Sequence, residues 1–259
     1  MTQAIEVSRQ DHLALVTLNR PDKMNSLGYD DWKQLEQVLR ELSADDSVRC
    51  VVLKGAGGRA FSAGADISEF TTHRQNAEQA AIYGVATQAA MDALAECRHP
   101  TIALITGVCV GGGLELASLC DLRYSNASGR FGVPINKLGL VLSYGEMGGL
   151  IRLVGPALAM ELVLEGRVFD AQEALTKGLI NRVYPDETVV DDVMAVATTI
   201  TERAPLVNRW HKKFARRLLK PEPITPEEWC EAYECFDTED FRIGYRAFLN
   251  KETPRFEGR

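Results

Sequence analysis

Hydrophobic positions change period several times along the chain, and each change predicts an element. Leu13, Leu15 and Thr17 alternate with Ala14, Val16 and Leu18, which predicts a strand over residues 13–19 after a shorter one over 4–8. Asn19-Arg20-Pro21-Asp22 breaks that alternation. Trp32, Leu35, Val38, Leu39 and Leu42 then recur at three- and four-residue spacing and predict a helix over 30–42. Residues 48–53, apolar but for Arg49, predict a buried strand that closes on Gly55-Ala56-Gly57-Gly58. A long amphipathic helix follows over 76–96, stopped by His99-Pro100. A second buried strand over 101–105 leads into Gly107 and Gly111-Gly112-Gly113.

Alternating strands and helices predict an α/β core. After Gly148-Gly149 the pattern turns helical, over 150–154, 156–165, 171–177, 189–202, 205–219 and 226–249, with one short strand near 180–183. We therefore expect a core over residues 1–195 and a C-terminal helical region over 196–259, in one folding unit. There is no low-complexity linker and no repeat of fixed period.

Composition narrows the function classes. The chain has 259 residues, 46% hydrophobic and 25% charged, enough for a sizeable core. A net charge of −7 with dispersed basic residues argues against a nucleic-acid or anionic-membrane surface. No apolar run approaches the roughly 20 residues of a membrane span, and the start has no secretory pattern, so a cytoplasmic protein is expected. Cys50, Cys109 and Cys120 lie in apolar stretches and no C-x-x-C pair occurs, so the six cysteines read as reduced core residues. His12, His73, His99 and His211 are scattered, and no metal site is expected.

The glycine clusters carry the candidate chemistry. Gly55-Ala56-Gly57-Gly58-Arg59-Ala60 matches G-x-G-x-x-A, but a dinucleotide fingerprint needs a helix to begin within its glycines. Here Phe61-Ser62-Ala63-Gly64-Ala65-Asp66 continues as loop, and the acid about 20 positions on, Glu78, falls inside a helix pattern. No glycine cluster precedes Lys-Ser or Lys-Thr, which excludes a Walker loop. What stands out is a pair of turns, Ala63-Gly64-Ala65 and Gly111-Gly112-Gly113, each leading from a buried strand toward a helix. Two free N–H groups, one from each turn, could meet on one oxygen, as in an oxyanion hole. Glu115 is the only charged residue between Val108 and Cys120, where an idle carboxylate would be costly.

These motifs resemble the crotonase (enoyl-CoA hydratase/isomerase) superfamily. Ala60-Phe61-Ser62-Ala63-Gly64-Ala65-Asp66-Ile67 is similar to its first signature, and Gly107-Val108-Cys109-Val110-Gly111-Gly112-Gly113-Leu114-Glu115-Leu116-Ala117 to its second. Asn19-Arg20-Pro21 with Lys23 and Asn25, Phe131-Gly132, Lys137-Leu138-Gly139-Leu140, and Ala247-Phe248-Leu249-Asn250-Lys251 with Pro254 and Phe256 extend the likeness over nearly the whole chain. The resemblance implies a crotonase-like spiral of ββα units with a C-terminal helical trimerisation region, assembled as homotrimers or hexamers. It implies an acyl-CoA thioester substrate and no cofactor beyond that substrate's CoA moiety. The backbone N–H groups of Ala65 and Gly112 would hold the thioester oxygen, and Glu115 would move the proton. Lys23 would meet the CoA phosphates, Ala63, Asp66 and Ile67 would line the CoA channel, and Lys251 would add charge from a neighbouring subunit, although Glu252 stands where the family often has a second base.

One position departs from the pattern. Typical hydratases place a second glutamate after the proline of Phe131-Gly132-Val133-Pro134, where this chain has Ile135. Hydratase chemistry is the leading expectation; isomerisation or decarboxylation of a malonyl-type thioester is the alternative, and an acyl-CoA binding module the non-enzymatic one. Glu146 or Tyr144, in Leu142-Ser143-Tyr144-Gly145-Glu146-Met147, is the candidate replacement acid, and Thr71, Thr72 and Tyr83 are candidates to line the acyl pocket.

Overall fold

The computed structural model describes residues 3–259. Two strands, β1 (Ile5–Gln10) and β2 (Leu13–Leu18), pair antiparallel around Asp11, which adopts a left-handed φ of 52°. From β2 onward one large sheet is parallel, in the order β1-β2-β3-β5-β7-β10, with β3 at Cys50–Gly55, β5 at Thr101–Ile105, β7 at Leu122–Asn126 and β10 at Arg182–Tyr184. A second sheet, β4-β6-β8-β9, is built from β4 (Ala60–Ser62), β6 (Val108–Val110), β8 (Arg130–Gly132) and β9 (Phe169–Asp170). Each turn of the chain lays one strand in each sheet and returns through a helix, which makes the spiral of ββα units. The short strands β4, β6 and β8 have only three residues each, too few to show a period in the sequence.

The bends between the sheets need their glycines. Gly107 turns β5 into β6 at φ 65°, and a Cβ there would meet the Arg59 carbonyl oxygen at 2.1 Å. Asn25, wholly buried and also left-handed, fastens the opening segment to this bend: its amide nitrogen donates to the carbonyls of Ala56 and Ala60 at 3.0 and 2.7 Å.

Helices α1 (Tyr29–Ala44), α3 (Ala77–Glu96) and α4 (Gly112–Leu119) cover the main core, with the short α2 (Phe70–His73) between α1 and α3. Trp32, Leu35, Leu39 and Leu42 face that core, as their spacing requires. α5 (Tyr144–Glu165) runs on with a break at Gly155 (φ 77°, ψ 166°) and Pro156, where the sequence separates two helices. It is long and apolar enough, by length and composition alone, to cross a membrane, which the sequence reading had not flagged; the break divides it and its first half packs on α4.

After α6 (Ala171–Thr176), α7 (Val189–Thr201) lies on the far face of the large sheet, with Val189, Val193 and Ala197 in a second core. The boundary expected at residue 195 falls within it. α8 (Pro205–Arg217) is pinned to the sheet by the buried Lys212, whose ammonium reaches Asp121 at 2.7 Å and the His99 carbonyl at 2.9 Å. The single helix expected over 226–249 is instead α9 (Pro226–Glu231), a 3-10 turn over Glu234–Asp237, and α10 (Glu239–Asn250). Thr238 restarts the helix, its hydroxyl accepting from the Phe241 N–H. Cys50, Cys97, Cys109 and Cys120 are buried free thiols; Cys230 is exposed and Cys235 half-buried, so these two are not core residues.

Candidate active site

The two glycine turns meet. Gly64, at φ 90°, lies so near the start of α4 that a Cβ on it would stand 2.7 Å from the Gly112 amide nitrogen. A Cβ on Gly112 would in turn stand 3.6 Å from the Ala65 amide nitrogen. Gly111 sets this geometry with φ 51° and ψ −130°, a conformation open essentially to glycine alone. Leu27 and Ala65 form a parallel bridge, with the Leu27 N–H donating to Gly64 and the Asp66 N–H to Leu27, and the Ala65 N–H is left over. Gly112 is the first residue of α4, so its N–H has no acceptor one turn back. Among the described residues neither amide donates to any acceptor, and the two stand side by side.

Glu115 lies one turn into α4, 3% exposed, and its carboxyl takes part in no hydrogen bond among the described residues. Burial, reinforced by the charge of Glu146, raises its pKa well above the usual carboxylate range, while the charge of Arg74 pulls the other way. Glu146, at the start of α5, closes a capping box: the Ser143 N–H donates to its carboxylate at 2.6 Å. Small residues bring this end of α5 against its neighbours, as Gly145 lies on Gln88 of α3 and Gly149 on Ser118 and Leu119 of α4. Of the two candidate replacements, Glu146 is therefore the one beside Glu115, and Tyr144 is fully exposed. Ile135 packs partly buried against the main core.

Behind the two amides the wall is aromatic. The Trp32 ring lies 3.6 Å from where a Gly112 Cβ would be, and its Nε1 donates to the Tyr83 hydroxyl at 3.2 Å. Tyr83 donates in turn to the Leu27 carbonyl at 3.1 Å, and burial pushes its pKa up to about 12. Arg74 lies over the Tyr83 and Phe70 rings, 4.8 and 4.6 Å from their centroids. No sequence motif marks Arg74; only the fold brings its charge to bear on Glu115. Thr71 and Thr72 are exposed on α2, and Thr72 donates to the Glu69 carbonyl.

Lys23, Ala63, Asp66 and Ile67 gather at the edge of the same turn. Asp66 is held by Arg20 at 2.7 Å and Lys23 at 2.8 Å. Its burial opposes ionisation, but hydrogen bonds from Lys23, Ser68 and Arg20 outweigh that and keep its pKa well below the usual range. Ile67 is 55% exposed, an apolar side chain beside the two amides' turn. Lys251 is elsewhere in this chain: it caps α10, and the tail after it joins Arg49 through the Phe256 carbonyl, at the opposite end of β3 from Gly55. Among the described residues no group of three or more His, Cys, Asp or Glu could hold a metal ion.

A parallel spiral with paired free amides and a buried acid defines a class, and comparison with known proteins names it. The family model for enoyl-CoA hydratase/isomerase matches residues 8–259. The chain is 33% identical over 247 residues to a short-chain-enoyl-CoA hydratase of Clostridium acetobutylicum, covering 95% of this chain and 94% of the relative. It is 31% identical to a crotonyl-CoA hydratase of Syntrophomonas wolfei, with 97% of each chain covered. A solved structure described as an enoyl-CoA hydratase/carnithine racemase from Magnetospirillum magneticum superposes with a TM-score of 0.98 at 47% identity, covering 100% of this chain and 97% of that one. The chain belongs to the enoyl-CoA hydratase/isomerase family.

Proposed function

We propose that this protein hydrates an enoyl-CoA thioester through an enolate. The observation that carries the reading is the pair of unengaged amides, Ala65 and Gly112, beside the buried Glu115. A thioester oxygen accepting from both amides gains charge as the enolate forms, so fixed donors favour the transition state over the substrate. Glu115, kept protonated by burial, gives its proton to the α-carbon. Glu146 takes a proton from water as the water oxygen bonds to the β-carbon, so that H and OH are added across the double bond. A proton passed from Glu146 to Glu115 restores the starting state.

Lys23 meets the CoA phosphates, with Ala63, Asp66 and Ile67 along the channel. Lys251 approaches from a neighbouring subunit in a trimer or dimer of trimers. Named hydratases among the relatives support the direction of the chemistry. Ile135 favours one second reading, in which Glu115 alone shuttles a proton along the acyl chain as an isomerase.

Loss of the conjugated absorbance of crotonyl-CoA tests the proposal. Rapid loss is expected, falling about 100- to 10,000-fold in Glu115→Gln and markedly in Glu146→Gln. Full turnover in Glu146→Gln would remove that residue from the mechanism. No turnover by the wild type, despite binding of the thioester, would favour the isomerase.

A further inference from the structure

Arg74 is the charged group beside this site that the hydration mechanism does not use. It caps α2 at the junction with α3, partly buried, its Cζ within 5 Å of two ring centroids. Contact with the Phe70 and Tyr83 rings holds the guanidinium on its aromatic side and leaves its N–H donors unoccupied. Among the described residues Arg74 makes no ion pair and its side chain donates no hydrogen bond. Of the described acids around it, Glu146 is turned to the Ser143 N–H and Glu69 to the Tyr29 N–H, and none comes within ion-pair distance of Arg74. A partly desolvated guanidinium carries five N–H donors in a fork that matches one carboxylate.

Its position relates it to the acyl group. The Tyr83 ring beneath Arg74 is tied through its hydroxyl to the Leu27 carbonyl, and Leu27 is the bridge partner of Ala65. The cation is thus joined through one ring to the strand that supplies one of the two amides. Its charge also acts on the Glu115 carboxyl. A chain leaving the thioester carbonyl past Glu115 therefore enters the region where Arg74 is the unpaired charge.

We propose that Arg74 receives a second carboxylate at the far end of the acyl chain, so that the preferred substrate is the CoA thioester of a dicarboxylic acid. This rests on the reading of Ala65, Gly112 and Glu115 as the thioester site. It is independent of whether the reaction is hydration or isomerisation. A bidentate, charge-assisted pair in a partly desolvated site makes a preference of about 10- to 100-fold over the uncharged analogue.

Binding separates this proposal from the chemistry. Titration calorimetry compares butyryl-CoA with glutaryl-CoA, which differs by one terminal carboxylate, and with free CoA, on the wild type, Arg74→Met and Arg74→Lys. The wild type is expected to bind glutaryl-CoA about 10- to 100-fold more tightly than butyryl-CoA. Arg74→Met brings the ratio near one, and Arg74→Lys, which keeps the charge but not the fork, leaves an intermediate ratio. Equal affinity of the wild type for the two thioesters overturns the proposal, whatever the variants do. An equal loss for free CoA and both thioesters in Arg74→Met also overturns it, because Arg74 would then meet a CoA phosphate. The unsaturated pair, crotonyl-CoA and 4-carboxybut-2-enoyl-CoA, reads the same ratio in kcat/KM. If neither is hydrated while the binding preference holds, the hydratase reading fails and the Arg74 assignment stands.

Discussion

Glu115 sits in a helix that buries six of its eight residues, and is itself only 3% exposed. The unfolded chain releases this proton in the usual carboxylate range, whereas the folded chain holds it to higher pH. Between the two values the native state binds more protons than the unfolded one, so stability falls as pH rises through that window. Glu115→Gln removes the ionisable group. The variant is expected to melt above the wild type at pH 8, with the gap closing toward pH 4, at no more than about 1.4 kcal/mol per pH unit. Thermal melts across that range measure it, and a gap independent of pH would contradict it. The gain is bought with activity, as is common where a site keeps a strained group. Glu115 and the two glycine turns stand out in the sequence because buried charge and clustered glycine are unusual, and the family resemblance then points to the Ala65 and Gly112 amides. Arg74 does not stand out, because its character comes from Phe70 and Tyr83, four residues before it and nine after.

Between elements, α4 meets the backbone of β4 closely at the site. A Cβ on Gly113 would meet the Ser62 carbonyl oxygen at 2.2 Å, so backbone must give way to any side chain. Gly113→Ala is expected to lower stability by about 1–3 kcal/mol, the usual range for overpacking. It should also slow crotonyl-CoA turnover, because the same shift carries Gly112 away from Ala65. Denaturant melts and the absorbance assay check the two effects, and loss of stability with full turnover would separate the helix from the site. The longer elements were visible in advance, α1 and α3 by their period and β3 and β5 as apolar runs. Around β4 the residues read as loop, and β6 and β8 show no strand of their own, since three residues cannot declare one. The break between α9 and α10 was also missed, because helix-favouring residues run through it and only Thr238, a cap, marks the restart.

The molecule as a whole leaves apolar surface uncovered at its C-terminal end. Phe248 and Leu249 are 83% and 72% exposed, and Trp229, Tyr233 and Phe236 are exposed nearby in sequence. Large apolar side chains exposed in such number are expected to meet another chain. Light scattering on the purified protein is expected to give three or six times the mass of the chain, and Phe248→Glu with Leu249→Glu to lower it. A monomer at micromolar concentration would remove Lys251 from the proposed site, since within its own chain that residue lies elsewhere. The spiral has a further consequence for the two amides. Ala65 follows β4 and Gly112 follows β6, and these strands are parallel neighbours on successive turns. The gap between the donors is therefore set by main chain, by turns that leave two neighbouring strands roughly 4.8 Å apart. It acts as a ruler written in main chain, so under the proposed mechanism the pocket walls can drift toward new acyl groups while the two donors keep their spacing.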